Sequence, residues 1–248
     1  MDFTLQTYIY IFIVTFICFF IKGVAAFGDP LISNPLLSMV MDNKSISPMN
    51  LCLGTPLNAW FSWKNRKAFS LKSTLPMAAC ILCGVIPGTL LLKYASSWIL
   101  KACLGILILV IGIEMITRDR AKPIRYNPIL MAVISFCSGV TAGLYGINLF
   151  FVAYVERTTT KRDEFRGRVC FIFLTENIFR IITYIIAGVF TRDVLMLVAI
   201  AAPGMLAGFI AGTKIDKRLS EKTIRKIITC MFMLGGFSVL IKAIVFKA

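Results

Sequence analysis

Histidine is absent from the 248 residues. That absence removes Ser–His and Cys–His nucleophile pairs, every imidazole metal site and the side chain that titrates most easily near neutral pH. Acidic residues are scarce too, 12 against 27 Lys and Arg, and charged types together reach only 16%. A soluble domain carries roughly 25% charge. Apolar types make up 58% of the chain and mean hydropathy is +0.83. They come in long blocks instead of the 3.6-residue spacing of a half-exposed helix. Such a surface needs lipid as its solvent.

The formal charge of +15 does not point to nucleic acid. Lys and Arg lie in short runs between the apolar blocks, as the positive-inside rule expects of cytoplasmic loops, where they attract anionic lipid headgroups. No nucleic-acid partner, cofactor or metal is expected, and no nucleophile–base motif suggests an enzyme. The run 8–21 has no basic residue just before it and no convincing cleavage site, so it reads as a membrane segment and not as a signal peptide. Of eight cysteines, only Cys80 and Cys83 have a C-x-x-C spacing. All eight read as small polarizable packing residues.

Apolar length gives blocks at 8–41, 49–63, 71–92, 98–117, 127–155, 169–190, 194–213 and 223–246. A helix needs about 20 residues to cross the hydrocarbon core, so the first and fifth blocks are too long for one ordinary crossing. Both are interrupted. The first carries Gly28-Asp29-Pro30 and then Asn34-Pro35; the fifth carries Gly143-Leu144-Tyr145-Gly146. If every block crossed once, the basic loops would divide almost evenly between the two sides. If those two blocks fold back, most basic residues gather on one side. The other keeps Lys44, Lys93, Lys101, Arg192, Lys242 and Lys247, which is the bias the positive-inside rule requires. The expectation is a re-entrant hairpin at both positions, with limbs of about 15 residues reaching about 22 Å and both termini outside.

The two halves also resemble each other. Phe20-Ile21-Lys22-Gly23-Val24-Ala25-Ala26 recurs as Phe136-Cys137-Ser138-Gly139-Val140-Thr141-Ala142, and Gly84 and Gly88 match Gly208 and Gly212. The expected architecture is therefore an all-α integral membrane protein of two inverted-topology repeats, 1–124 and 125–248. Each is a broken hairpin followed by three transmembrane helices. Many secondary transporters are built this way, with sites at the repeat interface near the midplane. The small-xxx-small pairs are expected to let helix backbones approach closely.

A broken helix leaves N–H groups unpaired at the start of its second half, where the dipole is also positive. Small oxyanions suit such a site. The expected substrate-binding residues are Gly28, Asp29, Pro30 and Asn34 at the first break, and Gly143, Tyr145, Gly146 and Asn148 at the second. Two such ends would face one anion between the repeats. Asp29 before Pro30 is a good N-cap and N1 pair, and its competing role is to carry a proton or another coupling cation such as Na+. Glu176 and Arg180, four apart in the sixth block, share a helix face. They form either a structural pair or an oxyanion-binding Arg tuned by a carboxylate that could itself couple ions. Asn58 and Asn177 join the expected binding set as neutral donors, and these two and Asn148 have bridging between helices as an equal alternative. Lys22, beside the first break, either attracts anions or snorkels.

The paired Gly-rich first elements, Gly54-Thr55-Pro56-Leu57 at the second block, and the Gly-x-x-x-Gly spans of each half resemble the TauE/SafE sulfite exporter family. In that family the first element is a denser glycine cluster before a proline. Here it reads Gly23-Val24-Ala25-Ala26-Phe27-Gly28-Asp29-Pro30, and the second copy has no proline. The resemblance implies movement of small sulfur oxyanions or organosulfonates, such as sulfite or sulfoacetate, across a cytoplasmic membrane, coupled to an ion gradient. A secondary anion transporter is the reading; a membrane thiol–disulfide electron carrier is its rival.

Overall fold

The computed structural model describes residues 5–37, 40–41, 43–94, 127–145, 148–159, 161–186 and 188–216, with isolated positions among the rest. Eight helices lie in these stretches: α1 (Leu5–Ala25), α2 (Asp29–Leu37), α3 (Asn43–Lys64), α4 (Leu71–Tyr94), α5 (Pro128–Tyr145), α6 (Leu149–Thr158), α7 (Arg162–Ile186) and α8 (Arg192–Asp216). Blocks four and eight fall outside the described residues, save scattered positions. The described part is all-helical and contains no strand. Four helices are long and apolar enough to cross a membrane: α1, the Leu71–Gly88 part of α4, α7 and α8. Their outward faces carry Ile9, Ile13 and Ile17 on α1, Ile178, Ile182 and Ile185 on α7, and Leu195, Leu206 and Ile210 on α8. Those side chains are solvated by lipid. The chain is an all-α integral membrane protein.

Both over-long blocks break, the first where its glycines lie and the second between Tyr145 and Leu149. The first stops at Ala25, turns through Ala26 (φ 70°) and Gly28 (φ 98°), and restarts at Asp29. A left-handed φ costs an L-residue about 1–2 kcal/mol, and glycine avoids that cost. The limbs are unequal, however: 21 and 9 residues in the first hairpin, 18 and 10 in the second. The long limbs reach about 31 and 27 Å at 1.5 Å per residue. Local backbone chemistry, and not the midpoint of the apolar block, decides where each helix ends. The short limb doubles back on the long one. Lys22 on α1 meets Asp29 at the start of α2, and Tyr10 Oη, much earlier on α1, donates to Leu36 O near the end of α2 at 2.9 Å. Nested contacts of this kind make the pair antiparallel.

The chain divides into two compact units, Met1–Trp63 with Phe173–Ile228, and Lys64–Ile172 with Thr229–Ala248. In the first, α1 and α8 pack backbone to backbone. A Cβ on Gly208 would strike Phe16 O, and one on Gly212 would strike Phe20 O. The paired numbers rise together, so the two helices are parallel. Phe61 of α3 stacks edge-on against Phe209 of α8, with centroids 5.5 Å apart. The second unit repeats the device. Gly84 of α4 meets Phe136 O, Gly88 meets Val140 O, and Gly139 of α5 meets Ile81 O. That pair is parallel too.

Two relations bear on how the blocks cross. In the first unit α3 and α7 are antiparallel: Asn177 reaches Thr55, whereas Arg180 and Tyr184 reach Ser47. In the second, the turn after α3 lies against the start of α7, with the rings of Phe69 and Phe171 5.9 Å apart and Gly167 pressed on Phe69. Were each block to cross once, α3 and α7 would run parallel and those two segments would lie on opposite sides. Fold-back of the long blocks satisfies both relations. It puts Lys64, Arg66 and Lys67 on the same side as Lys161, Arg162 and Arg168.

In a cysteine-free background, Ser70→Cys and Lys161→Cys are expected to react with an impermeant thiol reagent from one side of the membrane and Arg192→Cys from the other. Labelling of positions 70 and 161 from opposite sides would overturn the fold-back. Gly208→Val and Gly84→Val should each cost about 1–3 kcal/mol or more, the penalty of overpacking, seen as earlier thermal unfolding in detergent. Ala207→Val, on the exposed face of α8, should change little.

Candidate functional site

The first break lies beside a helix that is polar along one face. On α3, Ser47, Asn50, Gly54 and Asn58 recur at three- and four-residue spacing and so form one stripe. The stripe explains why α3, 22 residues long, is less apolar than the spanning helices. Gly54 stands halfway along it. A Cβ there would lie 3.2 Å from Asp29 Oδ2 and 3.6 Å from Lys22 Nζ. The missing side chain leaves room for those two charges.

Lys22 Nζ donates to Asp29 Oδ1 at 2.8 Å, and their side chains are 1% and 5% exposed. Lys22 therefore does not snorkel. Within a membrane domain such charges are costly unless paired, and a pair deep inside usually has a task. The Asp29 carboxylate, expected either to cap α2 or to carry a cation, is first of all the partner of Lys22. Next to it, Asn50 Nδ2 donates to Ser33 Oγ (2.7 Å) and Asn34 Oδ1 (2.9 Å), which ties α3 to α2. The amide oxygens of buried Asn50 and Asn58 find no hydrogen-bond partner among the described residues. Leaving a buried acceptor unmatched costs about 1–3 kcal/mol, so each marks a place where a guest could bond.

Farther along the stripe, Arg180 Nη2 donates to Ser47 Oγ (2.9 Å) and Tyr184 Oη (3.1 Å), with its guanidinium 5.6 Å from the Tyr184 ring centroid. Asn177 Nδ2 donates to Thr55 Oγ1 at 3.0 Å. Glu176, 3% exposed, lies one turn before Arg180. Asn177 and Arg180 thus bridge α7 to α3, as the alternative role of the polar residues allowed.

The second break has the same outline with neutral groups. Gly143 is on the last turn of α5, Tyr145 closes that helix, and Gly146 lies outside the described residues. Asn148 is the N-cap residue of α6, yet its side chain does not cap. Its Oδ1 accepts from Ser138 Oγ at 3.4 Å, and Ser138 Oγ also accepts from Phe151 N–H at 3.1 Å. Ser138 is the residue that matches Lys22 in the internal repeat. In each unit, then, that position reaches across the break to the start of the short limb, with charge in one and hydroxyl in the other.

Of the expected residues, the first unit holds Gly28, Asp29, Pro30, Asn34, Asn58, Glu176, Asn177 and Arg180; the second holds Gly143, Tyr145 and Asn148. Sequence reasoning missed Asn50, Ser33, Ser47, Thr55, Tyr184 and Ser138. The helical spacing of the polar residues on α3 was the signal that could have found its members.

The family described as sulfite exporter TauE/SafE matches residues 11–239. The chain belongs to that family. TauE/SafE proteins are membrane transporters and not enzymes, so this one works by binding and release. No curated protein and no solved structure matches it.

Asp29→Asn leaves Lys22 buried without its counter-charge, and removing one partner of a buried pair costs about 3–5 kcal/mol. The double variant Lys22→Met with Asp29→Asn is expected to recover most of that loss. Thermal unfolding of the purified TauE/SafE protein and its variants reads the cycle. Equal instability of the single and double variants would deny the pair its structural part.

Proposed function

We propose that this protein is a secondary transporter of a small sulfur-containing anion, such as sulfite or a sulfonate, and that the anion binds at the first break. The buried Lys22–Asp29 pair carries this reading. It sets a cation deep among apolar helices, at the N-terminus of α2, beside a glycine that leaves space and near amide oxygens that have no partner among the described residues. Backbone N–H groups at the start of a helix favour an anion, and a Lys supplies the charge that a dipole alone lacks. Gly28, Asp29, Pro30, Asn34 and Asn58 are the near residues. Arg180, with Asn177 and Glu176, lines the same α3 face toward α7 and offers the anion a second station. Gly143, Tyr145, Gly146 and Asn148 form the matching element of the second half.

On this reading the two halves, 1–124 and 125–248, are inverted repeats, and access to the break alternates between the two sides of the cytoplasmic membrane. Three observations support the repeat: the antiparallel run of α3 and α7, the parallel glycine-packed pairs, and the shared reach of Lys22 and Ser138 across their breaks. A proton or Na+ supplies the coupling. The family name favours sulfur oxyanions over other anions of the same size.

Counter-flow in proteoliposomes tests the function. Labelled sulfite should exchange with sulfite or a sulfonate inside, and a dicarboxylate should exchange far more slowly. Lys22→Met with Asp29→Asn, folded yet uncharged at the break, should lower exchange by at least about tenfold, the worth of roughly one charge-assisted hydrogen bond. Exchange within twofold of the native protein would place the site elsewhere.

A further inference from the structure

Resting on the anion site just proposed, we infer that Asp29 and the transported anion compete for Lys22, and that a proton on Asp29 decides between them. Lys22 Nζ is committed to Asp29 Oδ1 at 2.8 Å and both side chains are buried. An anion arriving beside Gly54 meets a site whose net charge is already zero. Binding it there with Asp29 still ionised would leave an uncompensated negative charge in a low-dielectric interior, at a cost of several kcal/mol per ion. Moving one proton onto the Asp29 carboxylate removes that charge. The ammonium is then free to donate to the anion, and the neutral carboxyl gains an O–H with which to donate as well. Empty, the site holds Lys22 as a cation and Asp29 as an anion. Occupied, it holds the Lys22 cation, neutral Asp29 and one negative guest. The net charge is zero in both states only if the guest is singly charged, so the balance selects a sulfonate or hydrogen sulfite over a doubly charged oxyanion, with one proton travelling per anion.

Few other groups among the described residues compete for that proton. Asp29 is the one ionisable residue of α2. On α1, Cys18 lies one turn before Lys22 and within electrostatic reach of Asp29. The α3 stripe presents Gly54, Asn50 and Asn58; its Cys52 is half-buried off that stripe, and Lys64 is exposed at the far end. Toward α3, α7 turns Glu176, Arg180 and Tyr184. Packed along α1, α8 carries no ionisable side chain between Asp193 and Lys214. Lys214 is exposed, and buried Asp216 closes the helix.

The test uses the full-length purified protein and isethionate, a sulfonate that stays singly charged at every pH used. Binding is followed by calorimetry and by a pH indicator in weakly buffered, sodium-free solution. Uptake of one proton per isethionate is expected, with affinity falling about tenfold per pH unit wherever the empty protein keeps Asp29 ionised. Asp29→Asn should bind without proton uptake and with a flat pH profile, and Lys22→Met should not bind. Sulfate should compete poorly. The inference is overturned if the native protein binds without taking up a proton, if uptake survives in Asp29→Asn, if sodium is required, or if sulfate competes as well as isethionate. Each of those outcomes leaves the anion site standing. No binding by the native protein with or without added sodium, or binding by Lys22→Met within twofold of it, would remove the anion site as well. The native protein's proton count decides the matter even where a variant does not fold.

Discussion

Lipid offers no hydrogen bonds, so a helix that stops inside a membrane domain must find partners for its ends within the protein. Both long apolar blocks stop in this way, and each break is closed by a side chain reaching across it. Lys22 takes Asp29 in one, and Ser138 takes Asn148 and the Phe151 N–H in the other. The remaining features follow from that constraint. The short limbs must double back, because the stitching residue sits on the long limb before the turn. The long limbs must be held straight by a neighbour, because they have lost the continuation that would have anchored them. Glycine-lined α8 and α4 supply that neighbour, with their glycines against the carbonyls of α1 and α5.

The same constraint explains why α3 lacks the long apolar stretch that marks the four spanning helices. It faces the first break, the α2 limb and α7 at once, and each contact is polar: Asn50 to Ser33 and Asn34, Thr55 to Asn177, Ser47 to Arg180. Without a hydrophobic drive between helices in lipid, such bonds and close backbone packing are what hold helices together. The polar stripe thus serves assembly through Ser47 and Asn50 and leaves the open Gly54 beside the ion pair. On the proposed reading, holding the helices and binding the anion fall at different positions on one helix face. Arg180 serves the first task by donating to Ser47 and Tyr184.

Much of the fold could be read from the chain, because it rests on physics that leaves marks in one dimension. Block length and the sided distribution of Lys and Arg indicated the fold-back, and Gly28-Asp29-Pro30 marked the first break to the residue. The unequal limbs could not be read, since an apolar block shows its total length and not where φ turns positive at Ala26. The site was legible in part. Asp29, Asn34 and Asn58 announced themselves as polar residues in apolar surroundings, but the partner of Asp29 could not be found by helix rules. Lys22 lies seven residues back, on the other side of a turn, where neither the three- nor the four-residue spacing applies. Glu176 and Arg180 obey the four-residue rule, and that regularity drew attention to a pairing along α7. The contacts of Arg180 run along α7 to Tyr184 and also across to Ser47 on α3, and the second relation is one that only tertiary structure contains.

A carrier must return empty, and the unloaded state sets a demand that a lone cation could not meet. An unpaired Lys at the first break would bind an anion tightly and then face a bare charge once the anion left. On the proposed reading, Asp29 removes that penalty by standing in for the absent guest. Anion and carboxylate occupy the ammonium in turn, so neither state leaves it bare, and the glycine at 54 gives both arrangements room. The second break, neutral at Ser138 and Asn148, needs no such substitute because it holds no charge to protect. On the same reading, that asymmetry places the charge exchange at the first break and leaves the second break a purely hydrogen-bonding role. On the proton-exchange reading, one singly charged guest and one proton move together without net charge. The membrane potential then does no work on the loaded or the empty form, and the chemical gradients of proton and anion alone set the direction of flow.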